Sequence, residues 1–321
     1  MKLNQIYKKV VEKGISSDIR SKTAIKKNLA EQKNKFNELK NKRKDYFDKD
    51  TLFNPFADTR IVYGNPDEKI NAAIIGIDIG AGELLLADRL NQKGANINLA
   101  ISHHPQGYAL AQFYEVMDLQ IDGFADYGIA MGLSEKSLLQ RKGQIERRVH
   151  AANFNRNHDI ARLLKLNYMC MHTPCDNLVY QFLRKKIDQA KPSKLKDIMD
   201  ILYAIDEYQY AAKNSNPPKI VTGNKESRCR KIHLEFTGGT EGPEDIYKEL
   251  AAKGIDTIVA MHQSENHYKK CKEAKINVIF ASHIASDTVG VNLMLDQLQA
   301  EKNFRIYEAG GFRRIKRKIK G

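Results

Sequence analysis

Along the chain one arrangement of apolar and polar residues occurs four times: a stretch with helical periodicity, a short basic or Gly-containing break, an apolar run of strand length, and then a histidine. The first copy passes from Arg89-Leu90-Asn91-Gln92-Lys93-Gly94 through Ile97-Asn98-Leu99-Ala100-Ile101-Ser102 to His103-His104-Pro105. The second runs from Arg162-Leu163-Leu164-Lys165 through residues 166–171 to His172. The third leads from residues 250–254 through 255–261 to His262, and the fourth from 272–275 through 276–282 to His283. Strands alternating with helices at this spacing predict an α/β fold with largely parallel strands, covered on both faces. The carboxyl ends of neighbouring parallel strands share one edge, so side chains carried just beyond them converge although far apart in sequence.

Five of the nine histidines stand at these strand ends, and two ends add a carboxylate four residues on, His172 to Asp176 and His283 to Asp287. After His283 the helical periodicity of 289–300 puts His283 and Asp287 on one face of a first helical turn. Imidazole and carboxylate together suit Zn, Mn, Fe or Co, whereas Ca or Mg prefers oxygen alone. Consecutive side chains diverge on an extended strand, so His103 and His104 suggest two ions side by side. The third end, His262-Gln263-Ser264-Glu265, is a weaker cluster that is open between a supporting, a catalytic and a plain surface role. Cys175 stands between a candidate ligand pair, but the four cysteines have no CxxC spacing, and it is expected to pack rather than to ligate.

Two glycine-containing segments compete for attention. Residues 75–82, Ile-Gly-Ile-Asp-Ile-Gly-Ala-Gly, lack the third glycine of a dinucleotide loop, and Glu83 to Leu90 has helical character where an actin-like phosphate loop would turn into another strand. Thr237-Gly238-Gly239-Thr240-Glu241-Gly242-Pro243 is a better anion candidate, with Pro243 opening a helix, and equally a plain turn.

A length of 321 residues accommodates one large or two ordinary domains. With 42% apolar residues and a mean hydropathy of -0.54, the chain has no apolar run near the ~18 residues of a membrane span, and its first twenty residues lack a signal-peptide stretch. The expectation is a reduced, cytoplasmic protein with no membrane partner. The net charge of +14 sits at the two ends: residues 1–50 hold 15 Lys/Arg against 7 Asp/Glu, and residues 302–321 hold 8 against 1. Lys22 to Tyr46, with Leu29, Phe36 and Leu39 at helical spacing, predicts a solvated helix packed by a narrow stripe. Basic ends of this kind are commonly solvated faces; nucleic acid is the alternative partner.

In order and spacing, Ser102-His103-His104-Pro105, His172-xxx-Asp176 with Asn177, Thr237-Gly238-Gly239 and His283-xxx-Asp287 resemble the dinuclear-metal-centre family related to the Ngg-interacting factor three, some members of which are GTP cyclohydrolase homologues. The resemblance spans about residues 53 to 308; Phe53 to Gly64 is similar to the family's opening loop and Ile75 to Asp78 to its first strand. It implies two α/β lobes facing each other across a metal site, assembled as a ring-like homohexamer, with two divalent ions (Zn, Fe or Mn) per subunit. By the same resemblance His104 and Asp176 hold one ion, His103 and His283 the other, Asp287 bridges them, and His172 stands beside the site. The chain departs from the family in having Asp287 where Glu is usual, in a longer segment from Gln106 to Leu166, and in its basic ends. The expected organisation is a basic helical extension over 1–50, the metal-binding body over 51–308 and a basic tail over 309–321. The expected function is a metal-dependent hydrolase of a nucleotide-like or phosphorylated small molecule, with His172 or Glu265 moving protons. The alternative is a metal-stabilised scaffold or regulatory protein that binds nucleic acid or a protein partner through its basic ends.

Overall fold

The apolar runs of the repeated pattern form strands, each sending alternate residues into different cores. A computed structural model describes residues 1–317 and arranges their strands in two sheets. In the first sheet β1 (Ile61–Tyr63), β4 (Asn167–Cys170), β3 (Ile97–Ser102), β2 (Ala72–Gly76) and β9 (Arg305–Glu308) lie side by side in that order, with only β1 antiparallel. In the second the order is β5 (Lys219–Thr222), β8 (Asn277–Phe280), β7 (Thr257–Ala260) and β6 (Ile232–Glu235), with only β5 antiparallel. Ala73, Ile75, Leu99, Ile101 and Met169 fill one core of the first sheet, and Ala72, Ile74, Ala100, Tyr168 and Cys170 fill the other. Val259 and Ile279 likewise face one core of the second sheet, Ile258 and Val278 the other. Both sheets are therefore covered on both faces, as parallel sheets require. The α/β class and the two largely parallel lobes agree with the sequence expectation, and Ala81–Asn91 is a helix, as its periodicity predicts.

The ends of the chain are built into the fold more than their charge suggests. Leu3–Ser16 is a helix whose Leu3, Ile6, Tyr7, Val10 and Val11 make one apolar stripe, buried in the first sheet's core. This part of the expected 1–50 extension thus belongs to the lobe itself. The expected basic helix runs over Lys22–Glu38, with Ile25 buried and Leu29, Phe36 and Leu39 half-buried. At the other end, the basic segment from 309 is docked rather than solvated: Phe312 is fully buried, and Arg314 and Arg317 pair with the buried carboxylates of Asp296 and Glu207. Residues 318–321 of that expected tail lie outside the described residues. The long 106–166 segment supplies the helices Leu119–Ala125, Met131–His150 and Asn155–Leu163, and it props the glycine loop of the second lobe, since Gln120 Nε2 donates to the carbonyls of Gly238 and Thr240 at 2.9 and 2.8 Å. The helix after that loop begins at Ile246, not at Pro243.

Candidate metal centre

Three chain segments bring their polar groups to one point between the lobes. Beyond β3 come His103 and His104, and beyond β4 come His172 and the helix Thr173–Ala190, whose first turn holds Asp176. Beyond β8, Ser282 adopts φ 81, and His283 and Asp287 stand in the first turns of the helix His283–Glu301. Such a backbone disfavours any residue but glycine; here Asn216 Nδ2 donates to the Ser282 hydroxyl (3.0 Å) and Ser286 Oγ to its carbonyl (2.6 Å).

His103 Nε2 lies 3.4 Å from Asp176 Oδ1 and 3.5 Å from Asp287 Oδ1. The other oxygen of Asp287 lies 3.4 Å from His104 Nε2 and 3.4 Å from His283 Nε2. The donor atoms therefore fall into triads, His103-Asp176-Asp287 and His104-His283-Asp287, each within 4.8 Å, and His103, His104 and His172 form a third. The resemblance implied His104 with Asp176 and His103 with His283; the distances group His103 with Asp176 and His104 with His283, with the rings of His103 and His104 5.3 Å apart between centroids. Asp287, one methylene shorter than Glu, faces both groups without a longer reach.

Three of the histidines are held from behind. His172 Nδ1 donates to Asp58 at 2.8 Å, His104 Nδ1 to Asp78 at 2.7 Å, and His103 Nδ1 to the Met171 carbonyl at 3.2 Å. Each bond fixes the ring and turns Nε2 toward the carboxylates, as metal-ligating histidines are held. Burial opposes ionisation of Asp58, but His172 and Thr173 keep its carboxyl below the usual range. Asp58 and Asp78 had no role on sequence grounds. Both stand in segments singled out there, the opening loop and the Ile75–Gly82 run, and only their folded position shows what they hold.

The pocket has the features of a metal site. His103 Nε2 and Asp287 Oδ2 are buried and have no hydrogen-bond partner, a costly state for polar atoms that a cation between them relieves. The donors are imidazoles and carboxylates, so the buried His/Asp groups can hold a divalent transition metal. Without a cation, burial lowers the proton affinity of His104, but Asp287 and Asp78 more than offset it and bring its pKa up to about 9. His103 is likewise raised, because Asp287 and Asp176 outweigh its burial. A raised histidine stabilises the metal-free fold below its unfolded pKa, and this contribution is lost as pH rises through about 9. Protons therefore compete with metal: affinity should climb between pH 6 and 9, and binding at pH 7.5 should release protons, measurable by titration calorimetry in buffers of different ionisation enthalpy. Binding without proton release would place the metal elsewhere.

A cleft leads from His172, Asp176, His283 and Asp287 along the glycine loop 237–242 to Phe124, Tyr127, His233 and Glu235. His262 lies in it against His283, with ring centroids 4.5 Å apart. Glu265 does not line this cleft: its side chain is 71% exposed and pairs with Lys269 at 3.6 Å. Two carboxyls of the second lobe line the cleft, Glu241, 3.8 Å from His262, and Glu235, which burial pushes up to about 7 while Gln263 and Tyr247 donate to it. Its strand position in residues 232–235 gave no sequence signal, since no histidine follows β6.

No family model matches the sequence, and no curated protein is similar to it. Among solved structures, a NIF3 superfamily protein from Sphaerobacter thermophilus is similar at 25% identity over 80% of this chain and 92% of its own, with a TM-score of 0.72. Reduced HcgD from Methanocaldococcus jannaschii is similar at 13% identity over 78% and 88%, with a TM-score of 0.48. A Bacillus cereus protein related to NIF3 is similar at 13% over 78% and 90%, with a TM-score of 0.38. The order of the two sheets, the histidines at their strand ends and the similarity to the Sphaerobacter protein agree with the motifs of the chain: its fold is that of the NIF3 superfamily.

Proposed function

We propose that the protein is a dinuclear metal-dependent hydrolase of a nucleotide-like or phosphorylated small molecule, in line with its resemblance to GTP cyclohydrolase homologues. The observation that carries this is the pair of triads sharing Asp287, with His103 Nε2 and Asp287 Oδ2 buried and unpartnered beside an open cleft. In this reading His103 and Asp176 hold one ion, His104 and His283 the other, and Asp287 both; Zn, Fe and Mn suit the donor set. Two divalent ions supply Lewis acidity, lowering the pKa of water and stabilising charge on attacking and leaving oxygens. His172, with Nδ1 held by Asp58 and Nε2 3.7 Å from Asp176, is placed to carry a proton to or from the reacting group. Glu235, which lines the cleft and whose pKa burial pushes up to about 7, takes the part that Glu265 had on sequence grounds. The glycine loop and the aromatic residues Phe124 and Tyr127 line the cleft that would receive the body of the substrate. Among the described residues no helix is long and apolar enough to cross a membrane. Assembly into a homohexamer belongs to the same proposal, and the exposed Leu85, Leu86, Leu139 and Leu163 offer apolar surface for it.

The test is elemental analysis of the purified protein, followed by a hydrolysis screen of nucleotides and phosphoesters with and without chelator. About two ions per chain and chelator-sensitive turnover are expected; a protein that takes up no metal overturns the proposal. One observation favours the scaffold alternative: Lys22, Lys26, Lys27, Lys33 and Lys35 are all exposed on one helix, free to meet phosphates. Salt-sensitive nucleic-acid binding together with saturated, inactive metals would select it.

A further inference from the structure

The nine residues after β9 run back beside the elements that carry His104 and His283 instead of leaving the fold. The Gly310 carbonyl accepts from the backbone N–H groups of Ile77 (2.9 Å) and Asp78 (3.2 Å), and Asp78 is the residue that holds His104. Gly310 has φ 48, and a Cβ there would stand 1.9 Å from the Asp78 carbonyl oxygen, so only glycine allows this approach. Gly311 lies against Ile284, next to His283, and Phe312 is buried in the first sheet's core. Farther on, Asn292 of the His283–Glu301 helix donates to the Arg313 carbonyl (3.0 Å) and accepts from Ile315 N (3.1 Å) and Arg314 Nη1 (3.2 Å). Arg314 pairs with Asp296 of the same helix, and Arg317 with Glu207 at 2.6 Å. Glu207 and Asp296 are buried, so these arginines neutralise charges that water does not reach.

The hydrogen bonds of this segment thus reach the loop that orients His104 and the helix that begins with His283. Toward the helix of Asp176 it makes no hydrogen bond among the described residues: Arg317 stands over the Phe182 ring at 5.3 Å, and Phe312 shares the first sheet's core with Cys175 and Leu178. His103 is held by the Met171 carbonyl and not by the segment. We propose that residues 309–317 are a positioning strap for one of the two metal positions, that of His104 and His283, and that the other position is largely independent of it. The inference rests on the dinuclear reading above.

Metal-stripped full-length protein is titrated with Mn(II) by calorimetry, comparing wild type with Gly310→Ala, Asp78→Ala and the double variant. Each single variant should bind one ion as wild type does and the other about 10- to 100-fold more weakly, the usual cost of losing what orients a ligating histidine. If the strap acts through Asp78, the double variant is no worse than the poorer single one. Asp78 is 66% exposed in its side chain, so its variant folds, and Phe312→Leu, which loosens the strap without a backbone clash, replaces Gly310→Ala should that chain misfold. Equal weakening of both ions, or unchanged binding in the Gly310 and Phe312 variants, overturns the strap. A wild type that binds no ion fails earlier, at the dinuclear reading, and a wild type that binds two leaves that reading standing whatever the variants do.

Discussion

Asp287→Ala is expected to purify with neither ion, whereas Asp176→Ala keeps the ion of His104 and His283. The asymmetry follows from the oxygens of Asp287, one 3.5 Å from His103 Nε2 and the other 3.4 Å from both His104 and His283, while Asp176 faces His103 and His172 only. Asp287 is also buried and held far below the usual carboxylate range by His103, His104 and His283, against the effect of its burial. Elemental analysis decides the matter; full metal content in Asp287→Ala would remove it as the shared ligand. The family's usual Glu suggests that Asp287→Glu should hold or tighten the second ion. The geometry predicts the reverse, because the shorter side chain already faces both groups. An extra methylene at a fully buried position costs about 1–3 kcal/mol in displaced neighbours, and metal affinity should fall.

Arg60→Ala should destabilise the protein by about 3 kcal/mol, the low end of the cost of breaking a buried ion pair, since Arg60 is fully buried but Asp48 keeps 21% of its side chain exposed. Arg60 is fully buried before β1, and its guanidinium donates to Asp48 through Nε (3.1 Å) and Nη2 (2.8 Å) and to the carbonyls of Thr59 and Phe56. It closes the loop that presents Asp58 to His172. The variant should therefore also lose the orientation of His172, visible in NMR as a ring freed from its carboxylate. A shift in denaturant midpoint worth less than about 1 kcal/mol, in the range of an exposed pair, would show that the loop stands without it.

The parts that sequence and structure share are those governed by local periodicity. The short apolar runs 97–102 and 167–170 suit strands covered on both faces, and a histidine just beyond a parallel strand lies at its carboxyl edge by the geometry of the sheet. The spacing of His283 and Asp287 likewise puts both in the first turns of a helix. The fate of charge was not legible in this way. Arg314 and Arg317 read as a solvated tail because a basic run looks the same along the chain whether its partners are water or the buried Glu207 and Asp296. Leu3 to Val11 has the stripe of a core helix, but the surrounding lysines led the expectation outward.

The sequence by itself determined the α/β class, the two sets of strand-end histidines and the residue types able to hold a metal, since each depends on spacing within a few turns or strands. Only the tertiary structure decided which histidine stands with which carboxylate, that Asp58 and Asp78 hold the rings from behind, that Glu235 and not Glu265 faces the cleft, and that the C-terminal segment braces the site. These depend on how two lobes and both chain ends dock, and docking is set by the shape and burial of surfaces assembled from distant segments.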